Sequence, residues 1–184
     1  MSAAPPPATV IVVHPRERRS KCSVEALRGR DGFVFTTFPH AAPIDVSGYV
    51  RLGIGGALLS LDDAHRGLLL LDGTWRLAAR MEASYAHVEV RSLPLLSTAY
   101  PRKSGTHQDP TEGLATVEAL YAALRILGRD TCDLLDHYHW REQFLDANAH
   151  FGTLPSPAAP PANARTANRG DRVVAGLEGG PGRS

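Results

Sequence analysis

An α/β fold on a parallel sheet, with a mostly helical C-terminal part, is predicted from three observations. Short β-branched or leucine-rich runs recur through the first half, helical windows separate some of them, and the second half places its apolar residues at helical spacing. The 184 residues, 43% of them hydrophobic, suffice for one core or for one core divided between two small lobes, and leave no room for a large multidomain machine.

"TVIVVH" (Thr9–His14) is short, β-branched and closed by His14-Pro15, which predicts a buried strand. "FVFTTF" (Phe33–Phe38) predicts a second, ended by Pro39. "YVRLGI" (Tyr49–Ile54) alternates more weakly, and Gly53, Gly55 and Gly56 mark a loop after it. "GLLLLD" (Gly67–Asp72) is a continuous apolar run, the pattern of a central parallel strand covered on both faces. Helical windows lie around Ser23–Arg28 and Asp62–Arg66.

In the second half, "GLATVEALYAALRILG" (Gly113–Gly128) puts Val117, Leu120, Tyr121, Leu124 and Leu127 on one helical face, with Gly128 at C′. Its start is ambiguous. Asp109-Pro110-Thr111-Glu112 resembles an N-cap, but Gly113 interrupts, and a start nearer Thr116 fits as well. A further helix is expected after Asp130, with Leu134, Leu135, Tyr138, Phe144 and Leu145 inward.

Residues 1–8, "MSAAPPPA", and the Pro/Gly/Ala-rich stretch 153–184 bury too little apolar surface to offset their ordering entropy and are expected to be disordered. The ordered body is then 9–152, divided into an α/β lobe, 9–90, and a mainly helical lobe, 91–152. No apolar run approaches the ~20 residues that cross a bilayer, and Cys22 and Cys132 form no C-x-x-C pair. A soluble, cytoplasmic protein with reduced thiols and no membrane partner is expected.

A net charge of +1 hides a cluster: Arg16, Arg18, Arg19, Lys21, Arg28 and Arg30 crowd against Glu17, Glu25 and Asp31. This is either a phosphate-binding face or a solvated loop. In "LLLLDGTWR", Asp72 stands at a strand exit and Thr74 can cap a helix carrying Trp75, Leu77 and Met81. Ligands collect at such carboxyl ends, although a capping Asp72 or Thr74 beside a core Trp75 accounts for the pattern equally. His137 and His139 are two apart and face different ways on a helix, so no metal site is expected. Cys132 is expected to be packed.

The "DGTW" segment (Asp72–Trp75) resembles the D-x-[TS]-W motif of the DTW-domain RNA aminocarboxypropyltransferases. The surrounding chain is more similar to the ribosome-biogenesis aminocarboxypropyltransferases that modify small-subunit rRNA. "KCSVEALRGR" (Lys21–Arg30) sits where those proteins carry a basic, cysteine-containing segment. "RSLPLLSTAYPRKSG" (Arg91–Gly105) resembles their R-x-L-P-x-L-x-x-A-N-P-x-N-x-G, and "LATVEALYAALRILG" their L-S-T-V-E-A-x-A-A-A-L-x-I-x-G helix. The likeness spans roughly Val10 to Asn148. It departs at Tyr100, where an Asn is expected, and in lacking a second cysteine and a lysine-rich run near Cys22.

The resemblance implies a SPOUT-like knotted fold and transfer of the 3-amino-3-carboxypropyl group of S-adenosylmethionine to a uridine-type nitrogen. It implies Trp75, and Leu96 with its neighbours in "LPLLSTA" (93–99) through side chain and backbone, against the cofactor, with Thr116 and Ser23 at its amino-acid end. A uridine-type nitrogen must lose a proton as it attacks, so a carboxylate base is expected: Asp72 first, with Asp62 or Asp63 as substitutes. RNA contact is expected from Arg16, Arg18, Arg19, Lys21, Arg102 and Lys103, with rRNA or a pre-ribosomal particle as partner and a monomeric enzyme. The rival readings are the same transfer to a tRNA uridine and a non-catalytic RNA-binding assembly factor.

Overall fold

Leu68, Leu69 and Leu70 are all buried because the strand that carries them has neighbours on both edges and helices over both faces. The computed structural model describes residues 5–40, 44–101, 110 and 113–153. Five strands, β1 (Thr9–Val13), β2 (Phe33–Thr37), β3 (Tyr49–Leu58), β4 (Gly67–Asp72) and β5 (Glu89–Ser92), form one sheet in the order β2-β1-β4-β3-β5. Every pairing is parallel, and Val13 of β1 lies opposite Asp72 of β4.

Alternation along β1 separates two cores. Val10 and Val12 join Leu69 under α1 (Trp75–Glu82), which contributes Met81. Ile11 joins Val50, Leu68 and Leu70 on the opposite face, covered by Val117, Leu120 and Leu124 of α2 (Thr116–Ile126) and by Phe144 of α3 (Arg141–Ala147). Burial of β4 on both faces is the physical reason its sequence does not alternate.

Several expectations need correction. The windows at Ser23–Arg28 and Asp62–Arg66 hold only single 3-10 turns, Glu25–Leu27 and Leu61–Asp63. β3 runs four residues past Ile54, through the glycines expected to form a loop. Leu52 and Ala57 both align with Arg91 of β5, so Gly53 to Gly56 bulge outward between them. Gly56 is required there: a β-carbon on it would lie 2.3 Å from the Val90 carbonyl oxygen. β5 itself, only four residues long, has no counterpart among the expected strands.

The predicted helix after Asp130 is a series of turns, with regular helix only from Arg141. Asp133 has φ +58°, outside the right-handed helical region, which stops a helix from running through it. Leu134, Leu135, Tyr138 and Phe144 are nevertheless buried and Leu145 packs against them, so the inward set holds although the element does not. Cys132 is exposed rather than packed. α2 starts at Thr116, the later of the two weighed starts, and Gly128 follows its end with φ +66° as C′. Among the described residues no helix is long and apolar enough to cross a membrane.

Gly56→Ala should destabilise the protein by about 1–3 kcal/mol, the usual cost of forcing a methyl group into a closed contact. Urea unfolding monitored by far-ultraviolet circular dichroism measures it; an unchanged midpoint would mean that β3 and β5 separate freely at the bulge.

Candidate active site

The carboxyl end of β4, with β3 and the last residue of β5 beside it, lines a cleft of about 1650 Å³. Asp72, 3% exposed, closes β4, and its backbone carbonyl accepts a hydrogen bond from the His14 N–H at 2.9 Å. Its carboxylate caps no helix: Oδ2 accepts a hydrogen bond from the Cys22 thiol at 3.0 Å. Burial, then the charge of Asp72 and this bond, push the Cys22 thiol up to about 12. Cys22 therefore remains protonated through neutral pH and stays a donor. Because the folded thiol titrates above its ordinary value, the stability from this bond is fully present at neutral pH and is lost as pH rises toward 12.

Ser23, next to Cys22, has its hydroxyl at the start of α2, where it accepts a hydrogen bond from the Val117 N–H at 3.1 Å. The helix needs this acceptor because its N-cap residue is Ala115, whose side chain can accept nothing. A hydroxyl 94 positions away thus caps it. Thr116 is the first residue of α2 and lines the same cleft.

One turn into α2, Glu118 is fully buried and its carboxylate accepts four hydrogen bonds. Oε2 takes the Ala115 N–H at 2.8 Å and the Thr98 hydroxyl at 2.6 Å; Oε1 takes the Ala99 N–H at 2.8 Å and the Tyr138 hydroxyl at 2.8 Å. Burial and the neighbouring Glu118 raise the Tyr138 phenol well above its ordinary value, keeping it a donor. These bonds fix the segment 93–100 against α2, on the wall that includes Leu93, Leu95 and Thr98.

Trp75 opens α1 and its indole faces Gly113, where a β-carbon would fall 2.5 Å from the ring. Thr74 occupies the N-cap position, but only its backbone carbonyl serves the helix, accepting from the Leu77 and Ala78 N–H groups. On the α1 side of the cleft, Arg51 is buried and pairs with Glu82 at 3.2 Å. Its Nε has no hydrogen-bond partner.

The structure brings Ser23, Asp72, Trp75 and Thr116 together on one cleft. Leu96 is not with them. Its side chain packs against Ala122 and Phe151, while Leu93 and Leu95 face the cleft. Leu93, Pro94 and Leu95 all line the cleft, and at Leu96 the chain turns its side chain down onto α2 and Phe151. Arg16, Arg18 and Arg19 are exposed; Arg19 and Arg28 share Glu25. The backbone of Lys21 ends a 3-10 turn, and Arg102 and Lys103 lie outside the described residues.

Asp63, one substitute for Asp72, stands beyond the amino end of β4, away from the cleft. Burial alone would raise its carboxyl, but hydrogen bonds from Arg91 and the Ser60 N–H, with the charges of Arg91 and Arg66, hold it below the ordinary range. Asp62 is exposed beside it. His137 and His139 are exposed, and among the described residues no three His, Cys, Asp or Glu side chains are grouped to hold a metal ion.

A family model described as "Ribosome biogenesis protein, C-terminal" matches residues 54–153, more than half of the chain. The chain belongs to this ribosome-biogenesis family. The matched region includes Asp72, Trp75, Leu96 and Thr116, whereas Cys22 and Ser23 come from the segment before it. Among solved structures, the chain is similar to the SAM-dependent rRNA:acp-transferase Tsr3 from Vulcanisaeta distributa. The TM-score is 0.60 and the identity 23%, over 80% of this chain and 82% of that one. At that identity the likeness shows a shared fold. No curated protein sequence matches the chain.

Two tests address this geometry. In a Cys132→Ser background, alkylation of Cys22 by iodoacetamide should stay slow through pH 9, and Asp72→Asn should accelerate it by removing the adjacent negative charge; equal rates would break the pairing. Glu118→Leu strands the Tyr138 and Thr98 hydroxyls and two backbone N–H groups, so it should cost about 3 kcal/mol or more. Ser23→Ala, losing one cap, should cost about 1 kcal/mol, and chemical denaturation ranks the two.

Proposed function

We infer that the protein transfers the 3-amino-3-carboxypropyl group of S-adenosylmethionine to a uridine-type base nitrogen in small-subunit rRNA during ribosome biogenesis. The observation that carries this reading is the convergence of Cys22, Ser23, Asp72, Trp75 and Thr116 on one cleft in a ribosome-biogenesis protein. The fold is shared with an enzyme described as a SAM-dependent rRNA:acp-transferase, which supports the same chemistry.

The side chains present suit S-adenosylmethionine. Trp75, packed against the Gly113 backbone, forms an apolar wall with Leu93 and Leu95, the kind of surface an adenosine needs. Of the segment expected to meet it, Leu93 and Leu95 line the cleft and Leu96 does not. Across the cleft, the first turn of α2 offers the Thr116 hydroxyl and a positive helix end to the amino-acid carboxylate. Ser23 serves this end indirectly, by holding the helix terminus in place.

When bound, S-adenosylmethionine supplies a sulfonium whose three attached carbons are all electrophilic. The chain selects among them by position: the Trp75 wall and the Thr116 end fix the donor at two points, and orientation decides which carbon meets the nucleophile. Asp72 is the base. Cys22 occupies Oδ2, and Oδ1 takes the proton that the attacking nitrogen releases. Arg16, Arg18, Arg19, Lys21, Arg102 and Lys103 bind RNA phosphates without reading sequence. In this reading residues 9–152 form a SPOUT-like domain with the knot of that class, related to the DTW-domain enzymes and working as a cytoplasmic monomer.

Purified protein incubated with carboxyl-labelled S-adenosylmethionine and total RNA from a deletion strain should label small-subunit rRNA. Carboxyl label cannot report methyl transfer. Label in tRNA would select the tRNA enzyme; none, with cofactor binding intact, would select a methyltransferase or a non-catalytic assembly factor. Trp75→Ala should weaken cofactor binding about tenfold or more, the loss expected when an aromatic wall worth over 1 kcal/mol is removed; calorimetry checks it, and unchanged affinity removes Trp75 from the site.

A further inference from the structure

α1 turns Leu77 and Met81 into the sheet and leaves Arg76 and Arg80, one helical turn apart, on its solvent face. Neither guanidinium makes an ion pair or hydrogen bond among the described residues; the helix's one acid, Glu82, reaches inward to Arg51. Arg76 lines the cleft beside Trp75. Arg80 is exposed on the same face, and at the exit of β1 burial first, then the charges of Arg16 and Arg80, lower the pKa of His14. Arg16 is exposed, and its side chain too has no partner among the described residues. Three unneutralised cations therefore run from the β1 exit to the cleft rim, with Glu17 the acid on this side.

We propose that Arg76 and Arg80, with Arg16, form a phosphate track on the outer face of α1 that carries an RNA backbone to the rim of the cleft. Guanidinium groups suit phosphate because their planar fork donates two hydrogen bonds at once. The other side chains on this face are small: Ala79, Ala83 and Ser84 are exposed there, and none of the exposed large hydrophobic residues belongs to α1; Ile54, Leu58 and Leu95 lie within the cleft instead. The outer face of α1 therefore offers no apolar anchor of its own to a protein partner or a membrane. The proposal rests on RNA being the partner, yet needs no catalysis, so it is tested by binding alone.

The test titrates the full-length protein with a fluorescent single-stranded RNA from small-subunit rRNA at several KCl concentrations. Arg76→Gln/Arg80→Gln should bind about tenfold more weakly at low salt, and its log–log salt slope should be shallower by about 1.4, two phosphates at ~0.7 each. The single variant Arg80→Gln, outside the cleft lining, should weaken RNA binding while leaving S-adenosylmethionine affinity unchanged, and Arg141→Gln, on α3 across the sheet, should bind RNA as wild type does. Wild-type affinity and slope in the double variant would overturn the proposal, as would wild-type protein that binds no RNA. Poly-glutamate competing as well as RNA would overturn it in favour of an acidic polypeptide. The carboxyl-label assay on wild-type protein is read separately, so loss of the transferase reading leaves the binding result standing.

Discussion

The buried carboxylate of Glu118 is the constraint on which the cleft depends. A group that cannot be solvated must find every partner within the fold, and this one draws them from three places: the N-terminus of its own helix, the Thr98–Ala99 segment, and Tyr138. Meeting that demand fixes α2 along its axis and presses segment 93–100 against it. The wall opposite Asp72 and Trp75 is thus positioned by one side chain that never touches the cleft.

The sheet provides the other half of the arrangement. Parallel strands deliver their carboxyl ends to the same edge, so the exits of β1 and β4 meet, and the segments that follow them bring in Cys22 and Trp75. Asp72 is held between a covalent anchor, the end of β4, and a non-covalent one, the Cys22 thiol. The thiol is soft but reliably protonated, which makes it a fixed donor rather than a nucleophile.

What the sequence reveals of this depends on how local the cause is. Leu68 to Leu71 declare a doubly covered strand because burial on both faces writes itself into consecutive residues. β3 hides its second half because bulging glycines look like a loop until Val90 is known to lie against them. Asp72, Trp75 and Thr116 are legible through a motif and a helix start. Cys22 bonded to Asp72, 50 positions on, is not, since no local pattern records the pairing. The segment 93–99 is legible as a cleft wall, but which of its leucines turns away is not: the core on Ala122 and Phe151, distant in sequence, claims Leu96 and leaves Leu93 and Leu95 to the cleft. Arg76 and Arg80 carry a weak signal, being four apart on a helix, visible only once the helix's inward face is known.

The cap that Ser23 places on α2 has a consequence for assembly on the ribosome. A chain emerging from its N-terminus presents β1 and Ser23 early, but β1 acquires its central neighbour only after Asp72 has been synthesised, and the Ser23 hydroxyl finds its N–H only after Val117. β1 must wait beside β2, with one edge open, until β4 has been made. Contacts so distant along the chain slow the search for the native state, and they place completion of the cleft among the last events of folding: the site comes into being only when Ser23 and the start of α2, 94 positions apart, meet.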